Sequence, residues 1–327
     1  MNKQVPSWLT YALSIADEVR AWNDIAQYVL DEARVSQKPR VLHSLLTPLD
    51  RVLAEAAWNL WECFPDQASR TVAALQGWWS TREGRGIGRA VLILDALSLR
   101  ELPLLLQACA NRGVTPQDVR ATAAEVPTDT DQFAKALGLP GRSSLASDKA
   151  PVSFVLPSSQ LFTDVLASPF TDCVSMLKPR SDVVIWHSWL DDLIHLHSRS
   201  PAEIEHAAQR ELLSDGFWQF IDALRQGRHL VITADHGYAD SSLFATEEPP
   251  GPAKDYLVAT FSAKRNSSAI GPVPHEFMPP LALSRNGEHV VLGQRRWKVA
   301  GGYPHVCHGG LSLLEAFVPF IELPEVL

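Results

Sequence analysis

Short apolar runs, each long enough for one buried strand, alternate with helical segments beyond position 90. The runs cover residues 90–94, 183–186 and 230–233. Ahead of the last run, Phe217, Ile221 and Leu224 recur at three- and four-residue steps, which is the spacing of one helix face. Strands that alternate with helices form a mostly parallel sheet that is covered on both faces. The predicted fold class is therefore α/β, with a mostly parallel sheet sandwiched by helices.

The first 85 residues show helical spacing instead. We predict an all-helical N-terminal region over 1–85, followed by an α/β domain over 86–327, with the boundary in a glycine-rich connector whose glycines precede the first strand. A second helix is predicted to begin at Thr47, with Pro48 at its first position. Six of the ten tryptophans lie in this region. At helical spacing they are typical of a core, and the alternative is an aromatic surface that binds a partner.

Composition limits the classes of partner. A hydrophobic fraction of 46% is enough for a globular core. The 29 basic and 37 acidic residues give a net charge of −8, which argues against non-specific binding to duplex nucleic acid. No apolar run reaches the roughly 18 to 20 residues of a membrane span. The four cysteines are scattered without a Cys-x-x-Cys pair. We expect a cytoplasmic protein with reduced thiols and no membrane partner.

Acidic residues and histidines gather where the predicted strands end. In open parallel sheets, ligands bind beyond the carboxyl ends of the strands. Three aspartates and three histidines can supply mixed oxygen and nitrogen ligation for two divalent metal ions, a set that suits zinc or manganese better than calcium. The candidate metal ligands are Asp95, Asp191, His195, Asp235, His236 and His308.

Simpler interpretations of these motifs stay open. An aspartate after a strand often caps a helix, and an Asp-His pair often lies in a surface turn. Asp192 and His197 also offer an alternative to the pair Asp191 and His195. The four-residue step from Asp191 to His195 matches one helical turn, whereas the alternative step of five residues diverges from it. We therefore prefer Asp191 and His195.

The order of the motifs resembles that of the alkaline phosphatase superfamily. The segments Thr233-Ala234-Asp235-His236-Gly237 and His308-Gly309-Gly310-Leu311-Ser312 are most similar to its PglZ branch, and the resemblance covers about residues 90–324. It implies an alkaline phosphatase-like fold and two divalent ions, zinc first and manganese as the alternative. One ion would be held by Asp191, His195 and His308. The other would be held by Asp95, Asp235 and His236.

The resemblance also implies a nucleophile. Pro127-Thr128-Asp129-Thr130 resembles a stretch of the nucleotide pyrophosphatase and phosphodiesterase branch in which the second threonine attacks phosphorus, and this points to Thr130. The alternative is that Thr128 or Thr130 merely caps the following helix. Ser98 is the alternative nucleophile, and it is also the predicted start of a helix over residues 98–110. Arg100 is the nearest match to an arginine that PglZ relatives carry, which implies a role in binding the substrate's phosphate.

The implied function is metal-dependent hydrolysis of phosphate esters, by a phosphatase or a phosphodiesterase. The substrate would be a phosphate ester such as a nucleotide or a nucleic-acid end. The PglZ resemblance further implies a setting in bacterial defence against phage, with defence-system proteins as partners. The alternative is a scaffold with one metal ion or none, which binds partner defence proteins through the tryptophan-rich helices.

Two related activities fit the sequence less well. A sulfatase needs Cys-x-Pro-x-Arg, and the segment Cys63-Phe64-Pro65-Asp66-Gln67 lacks the arginine. A metal-dependent phosphoglycerate mutase carries a large inserted domain between the nucleophile and the later ligands. The interval 131–182 is too short for such a domain.

Overall fold

The chain begins with helices and then alternates between strands and helices. The computed structural model describes residues 17–36, 38–81, 87–247, 251–268, 273, 277–285 and 287–326. The helices are α1 Glu18–Val35, α2 Pro39–Glu55, α3 Asn59–Gln67, α4 Thr71–Ser80, α5 Leu102–Asn111, α6 Thr130–Ala136, α7 Phe170–Cys173, α8 Trp189–Leu196, α9 Pro201–Leu212, α10 Asp215–Arg225, α11 Pro252–Phe261 and α12 Leu313–Ala316. Short 3-10 turns cover Arg142–Leu145, Val174–Met176 and Ser241–Leu243.

The strands form one large sheet and three small ones. They are β1 Gly88–Leu94, β2 Asp118–Ala123, β3 Leu161–Leu166, β4 Asp182–His187, β5 Arg228–Thr233, β6 Ala239–Asp240, β7 Ala245–Glu247, β8 Asn266–Ser268, β9 Ala282–Arg285, β10 Glu288–Val291, β11 Arg295–Trp297, β12 Val306–Cys307 and β13 Phe317–Leu323. The large sheet has six strands in the order β2-β13-β5-β1-β4-β3. The small sheets are β8-β10-β9, β11-β7 and β12-β6.

Strand direction in the large sheet agrees with the predicted fold class. β1 pairs in parallel with β4 and with β5, and β3 pairs in parallel with β4. β13 runs antiparallel to both of its neighbours, β2 and β5. The predicted mostly parallel sheet is therefore confirmed, with one antiparallel strand between β2 and β5.

Both faces of the sheet are covered, as the continuous apolar runs predicted. Along β1, Leu92 points into a core shared with the helices on one face, whereas Val91 and Ile93 point into a second core on the opposite face. Phe133 of α6 and Leu75 of α4 belong to that second core. Alternate residues of a strand point to opposite faces, so a strand that is apolar throughout must be covered twice.

The helices before β1 pack against the sheet through their tryptophans. The Trp22 ring lies 4.8 Å from the Trp61 ring and 4.7 Å from the Phe64 ring, and its Nε1 donates to Leu60 O at 3.1 Å. Trp22 and Trp61 belong to the same buried core as Leu92 of β1. These aromatic residues are therefore core residues. The boundary predicted between 85 and 86 falls within residues 82–86, which lie outside the described residues, and so does Trp8.

The start of the second helix is a correction. α2 begins at Pro39 rather than Thr47, and Pro48 lies inside it. The Thr47 hydroxyl donates to His43 O at 2.9 Å within the helix. Proline removes one helical hydrogen bond, but the buried apolar stripe of α2 continues past it, and that packing outweighs the loss. The stripe consists of Leu42, Leu46, Leu49 and Leu53.

Among the described residues, none of the helices has the length and apolarity that crossing a bilayer requires.

Candidate metal centre

The six candidate ligands lie at one edge of the large sheet. Asp95 follows β1 directly, and Asp235 and His236 follow β5. Asp191 and His195 lie on α8, which begins just after β4. His308 comes from the loop after β12 and reaches the same edge. Three neighbouring parallel strands thus end at this place.

The first group consists of Asp95, Asp235 and His236, all fully buried. Their candidate ligand atoms lie within 4.8 Å of one another. His236 Nε2 lies 3.4 Å from Asp235 Oδ2 and 3.8 Å from Asp95 Oδ1. The other oxygen of each carboxylate accepts a hydrogen bond from the fold: Trp186 Nε1 donates to Asp95 Oδ2, and Ala96 N donates to Asp235 Oδ1, both at 3.0 Å. One oxygen of each aspartate is therefore held, and the other faces the group.

Ala96 has an unusual backbone conformation. Its φ of +64° lies in the left-handed region, which residues with a Cβ rarely adopt. The residue is fully buried, and its N–H makes the bond to Asp235. Strained backbone of this kind clusters at functional sites, where the surrounding structure imposes it. The turn after β1 therefore links Asp95 to Asp235 through a conformation that costs free energy.

The second group consists of Asp191, His195 and His308. Asp191 Oδ1 lies 3.4 Å from His195 Nε2 and 4.0 Å from His308 Nε2. That oxygen is buried and has no hydrogen-bond partner among the described residues. A buried carboxylate oxygen without a partner, facing two imidazole nitrogens, fits a divalent cation.

The alternative pair, Asp192 and His197, is used differently. Ser188 Oγ donates to Asp192 Oδ2 at 2.6 Å, and His197 Nδ1 lies 2.6 Å from Glu203 Oε2. The structure therefore brings Asp191 and His195 to the site and leaves the alternative pair in local contacts.

The two groups adjoin. The rings of His236 and His308 are stacked, with 4.4 Å between centroids and 15° between planes. Burial, with the carboxylate of Asp95 adding to it, raises the pKa of both Asp235 and Asp191. Burial and two neighbouring imidazoles lower the pKa of His308. Negative charge that is costly to bury, beside imidazole nitrogens, is the environment that bound cations stabilise.

Thr130 lies on the first group. It is the first residue of α6, and its hydroxyl donates to Asp235 Oδ2 at 2.8 Å. Thr130 Oγ1 also lies 3.3 Å from Asp95 Oδ1 and 3.4 Å from His236 Nε2. The helix cap is Asp129, whose side chain accepts from Gln132 N at 2.9 Å. Capping therefore does not explain the position of Thr130.

Ser98 makes its hydrogen bonds with backbone groups. Its hydroxyl lies 3.4 Å from Tyr238 O and 3.5 Å from Leu314 O, and it accepts from Arg100 N. The helix expected to start at Ser98 begins at Leu102, so Ser98 lies in the buried loop between β1 and α5.

Arg100 is not at the metal centre either. Its buried guanidinium donates to Glu205 Oε1 at 2.9 Å and lies over the ring of Tyr238. Arg142, which no motif marks in the sequence, forms an ion pair with Asp95 instead. The neighbouring carboxylates, Asp95 foremost, raise the pKa of Arg142 against the effect of burial. Arg142 could not be identified as a site residue from the sequence. It follows a glycine and begins a short 3-10 turn, and no recognisable motif surrounds it.

The loop that carries His308 is tied to the turn that carries Thr130. Thr128 Oγ1 donates to Gly310 O at 2.9 Å and accepts from Gly309 N at 3.1 Å. On the other side, Gly310 N donates to Glu315 Oε1 at 2.9 Å. Thr128 therefore connects the second metal-ligand group to the candidate nucleophile.

Comparisons with known proteins leave the family open. No protein-family model and no curated protein sequence matches this chain. Phosphonoacetate hydrolase from Sinorhizobium meliloti 1021, in complex with phosphonoformate, is a structural match with 14% identity over 74% of this chain and 91% of that one, at a TM-score of 0.42. Murine ectonucleotide pyrophosphatase / phosphodiesterase 5 matches with 13% identity over 72% of this chain and 87% of that one, at a TM-score of 0.41. The human protein of that name matches with 12% identity over the same shares, at 0.40. Similarity at this level assigns no family.

Proposed function

We propose that this chain is a metal-dependent phosphohydrolase, a phosphatase or phosphodiesterase, that uses Thr130 as its nucleophile. The observation that carries the proposal is the adjacency of two three-residue ligand groups, with the Thr130 hydroxyl on one of them. A site of this kind needs two cation positions and an attacking oxygen, and these residues supply all three.

The residues present divide between two divalent ions. Asp95, Asp235 and His236 would hold one, and Asp191, His195 and His308 the other. When bound, two such ions orient a phosphoryl group and stabilise the charge on its oxygens. Carboxylate and imidazole ligands favour zinc, with manganese as the alternative.

We assign nucleophilic attack to Thr130. Its hydroxyl proton points at Asp235 Oδ2, so a proton acceptor is already within hydrogen-bond distance. Thr130 gives up its hydroxyl proton, its Oγ1 attacks phosphorus, and the bond between phosphorus and the leaving oxygen breaks; that oxygen takes up a proton and departs as the alcohol. Water then attacks phosphorus, the bond between phosphorus and Thr130 Oγ1 breaks, and Oγ1 regains a proton as phosphate, or a phosphate monoester from a diester, is released.

Arg142 takes the role that the sequence suggested for Arg100. Its side chain is 30% exposed, so it borders both the buried Asp95 and solvent. A guanidinium can donate two parallel hydrogen bonds to phosphate oxygens. We assign Arg142 to the non-bridging oxygens of the substrate.

The more specific parts of the proposal are supported by the motifs. The segments around Asp235 and His308 support a PglZ-like enzyme in a bacterial defence setting, working with defence-system proteins in the cytoplasm. The net charge of −8 favours a nucleotide or a nucleic-acid end over duplex as the phosphate ester. Three of the six tryptophans on which the scaffold alternative relies, Trp22, Trp61 and Trp79, are buried, which favours the hydrolase over the scaffold.

The test is turnover of a chromogenic phosphate monoester and diester by zinc- or manganese-loaded protein, with metal content measured in parallel. The parent should bind two ions per chain and hydrolyse at least one substrate. Thr130→Ala should lose turnover about a thousandfold or more and keep both ions. Ser98→Ala is the matched control and should remain near the parent. Equal turnover by Thr130→Ala and the parent, or an inactive parent with one ion or none, contradicts the proposal.

A further inference from the structure

A second cavity lies away from the metal centre, between the first helices and the α5–α9 side of the molecule. Its volume is about 730 Å³. The junction of α1 and α2 lines one side, and the start of α5 and one face of α9 line the other. None of the six candidate metal ligands lines it. The size lies within the range of small-molecule sites, about 300 to 1,000 Å³.

The cavity is locally basic in an acidic chain. Arg34, Lys38 and Arg40 are exposed on its rim, and Arg100 forms part of its wall. Against these four cations stand two carboxylates, Glu101 and Glu205 (4 − 2 = +2). The chain as a whole has a net charge of −8. The excess of positive charge favours an anionic ligand at this place.

The Arg100 guanidinium is short of acceptors. The side chain is fully buried, and its hydrogen bond goes from Nη2 to Glu205 Oε1 at 2.9 Å. Nε and Nη1 have no hydrogen-bond partner within the described part of the chain. A guanidinium stays charged and carries five N–H groups, so leaving several unpaired in the interior is costly. The arginine predicted to bind phosphate therefore does have spare donors, but beside a different cavity.

The position of the Glu205 carboxylate indicates where an anion would contact Arg100. Its side chain is 23% exposed at the cavity, and its carboxylate occupies a position where an anionic oxygen meets the guanidinium. A phosphate group can share or replace that position. Pro39, Pro103 and Leu104 add apolar surface beside it. The lining thus offers contacts for a charged part and an uncharged part of one ligand.

We propose that this cavity is a binding site for a small phosphorylated molecule of about nucleotide size, separate from the metal centre. Arg100 binds phosphate from the side now held by Glu205, and Lys38 and Arg40 bind from the rim. Inorganic pyrophosphate and a nucleoside diphosphate share this chemistry, and they differ in whether the apolar surface is used.

The experiment is calorimetric titration of the full chain with pyrophosphate and with ADP, after the metal centre has been emptied with EDTA and the chelator removed. Saturable binding without metal shows that the ions are not needed for it, and the variants below then locate it at this cavity. Tighter binding of ADP identifies a nucleotide-like ligand, and equal binding identifies the phosphates alone as the recognised part; both support the site.

Two variants should shift the affinity in opposite directions. Glu205→Gln removes the competing carboxylate, so binding should tighten about fivefold. Lys38→Glu with Arg40→Glu should weaken it about tenfold or more. Arg51→Glu with Arg210→Glu, which reverses two cations outside the cavity, is the matched control and should stay within about twofold of the parent.

Thermal unfolding of each variant shows that the fold is kept. No saturable binding up to about 10 mM overturns the proposal. So does unchanged or weaker binding by Glu205→Gln, because the Glu205 carboxylate then does not compete with the ligand for Arg100. A loss in the control double variant equal to that of the rim variant also overturns it, since attraction to net charge would explain both.

Discussion

Individual side chains behind the ligands decide the geometry of the metal centre. Asp95 is oriented by Trp186, and Asp235 is oriented by the backbone of Ala96. Groups that orient metal ligands typically change metal affinity or activity about 10- to 100-fold when they are removed. Trp186 is therefore a positioning residue for the proposed reaction.

Trp186→Phe should lower zinc affinity at the Asp95 group and reduce turnover about tenfold or more. Phenylalanine keeps most of the buried ring but has no N–H for Asp95 Oδ2. Metal titration and steady-state kinetics measure both effects. Trp297→Phe is the control, because the buried Trp297 Nε1 donates to Ser262 O at 2.7 Å. A similar fall in metal affinity in both variants would mean that lost packing, rather than the lost hydrogen bond, is the cause.

Thr128→Val should loosen the His308 loop. The substitution keeps the shape and removes the hydroxyl that bonds Gly309 and Gly310, at a stability cost of about 1 to 3 kcal/mol. We expect weaker binding of the second metal ion and slower turnover, with Thr128→Ser close to the parent. Urea unfolding and metal titration are the measurements. If Thr128→Val lowers stability but binds both ions like the parent, the hydroxyl has a structural role only.

The grouping of the six candidate ligands is predictable from the sequence, but the residues around them are not. Asp95 and Asp235 follow apolar runs, and Asp191 and His195 have a helical spacing, so local pattern was enough. Arg142 contacts Asp95 across 47 positions. No local pattern encodes such a contact, because it exists only after the sheet has assembled.

At the scale of elements, α8 carries Asp191 and His195, two of the three residues that would hold one of the proposed ions. His195→Ala should halve the bound metal and nearly abolish turnover, because three protein ligands are the usual minimum for catalytic zinc. The fold should persist, since the His195 side chain is 66% exposed.

His197→Ala is the matched control on the same helix end. It should keep both ions and near-parental turnover, because His197 pairs with Glu203. The reverse result, with His197→Ala losing metal and His195→Ala keeping it, would exchange the two residues in the site.

Strands were predictable from the sequence where burial on both faces determines the residue types. The apolar run at 90–94 lies within β1, which begins only two residues earlier at Gly88, because burial on both faces leaves little choice. Helix starts were less predictable. Thr47 and Ser98 both carry side chains that can cap a helix, yet the helices begin at Pro39 and Leu102. Tertiary packing outweighs the local capping preference at both places.

At the scale of the molecule, one buried carboxyl joins the first helices to the end of the chain. Asp50 of α2 accepts from Leu313 N at 2.9 Å and from Gln294 Nε2 at 2.7 Å. Burial raises the pKa of Asp50 to about 7. The native state therefore binds a proton that the unfolded chain releases near pH 4.

Asp50→Asn should change how stability depends on pH. In the parent, this group makes stability fall as pH rises from about 4 through about 7, because the native state binds more protons there than the unfolded state does. The variant lacks that contribution and keeps an acceptor for Leu313. Between pH 5 and 8, its free energy of unfolding should gain about 2 kcal/mol on the parent's, as measured by urea unfolding.

The exposed Asp66 provides the control. Asp66→Asn should follow the parent at both pH values to within about 0.5 kcal/mol. A constant difference between Asp50→Asn and the parent at pH 5 and pH 8 would show that Asp50 is ionised in the native protein throughout this range.

The position of β13 bears on how the protein is made. β13 follows every other strand in sequence, yet it lies between β2 and β5. Until residues 317–323 leave the ribosome, the strand that pairs with both β2 and β5 is missing. The loop that carries His308 then has no completed sheet to pack against. A nascent chain therefore carries most of the proposed active site without being able to close it. Synthesis would therefore delay the proposed activity until β13 has been released.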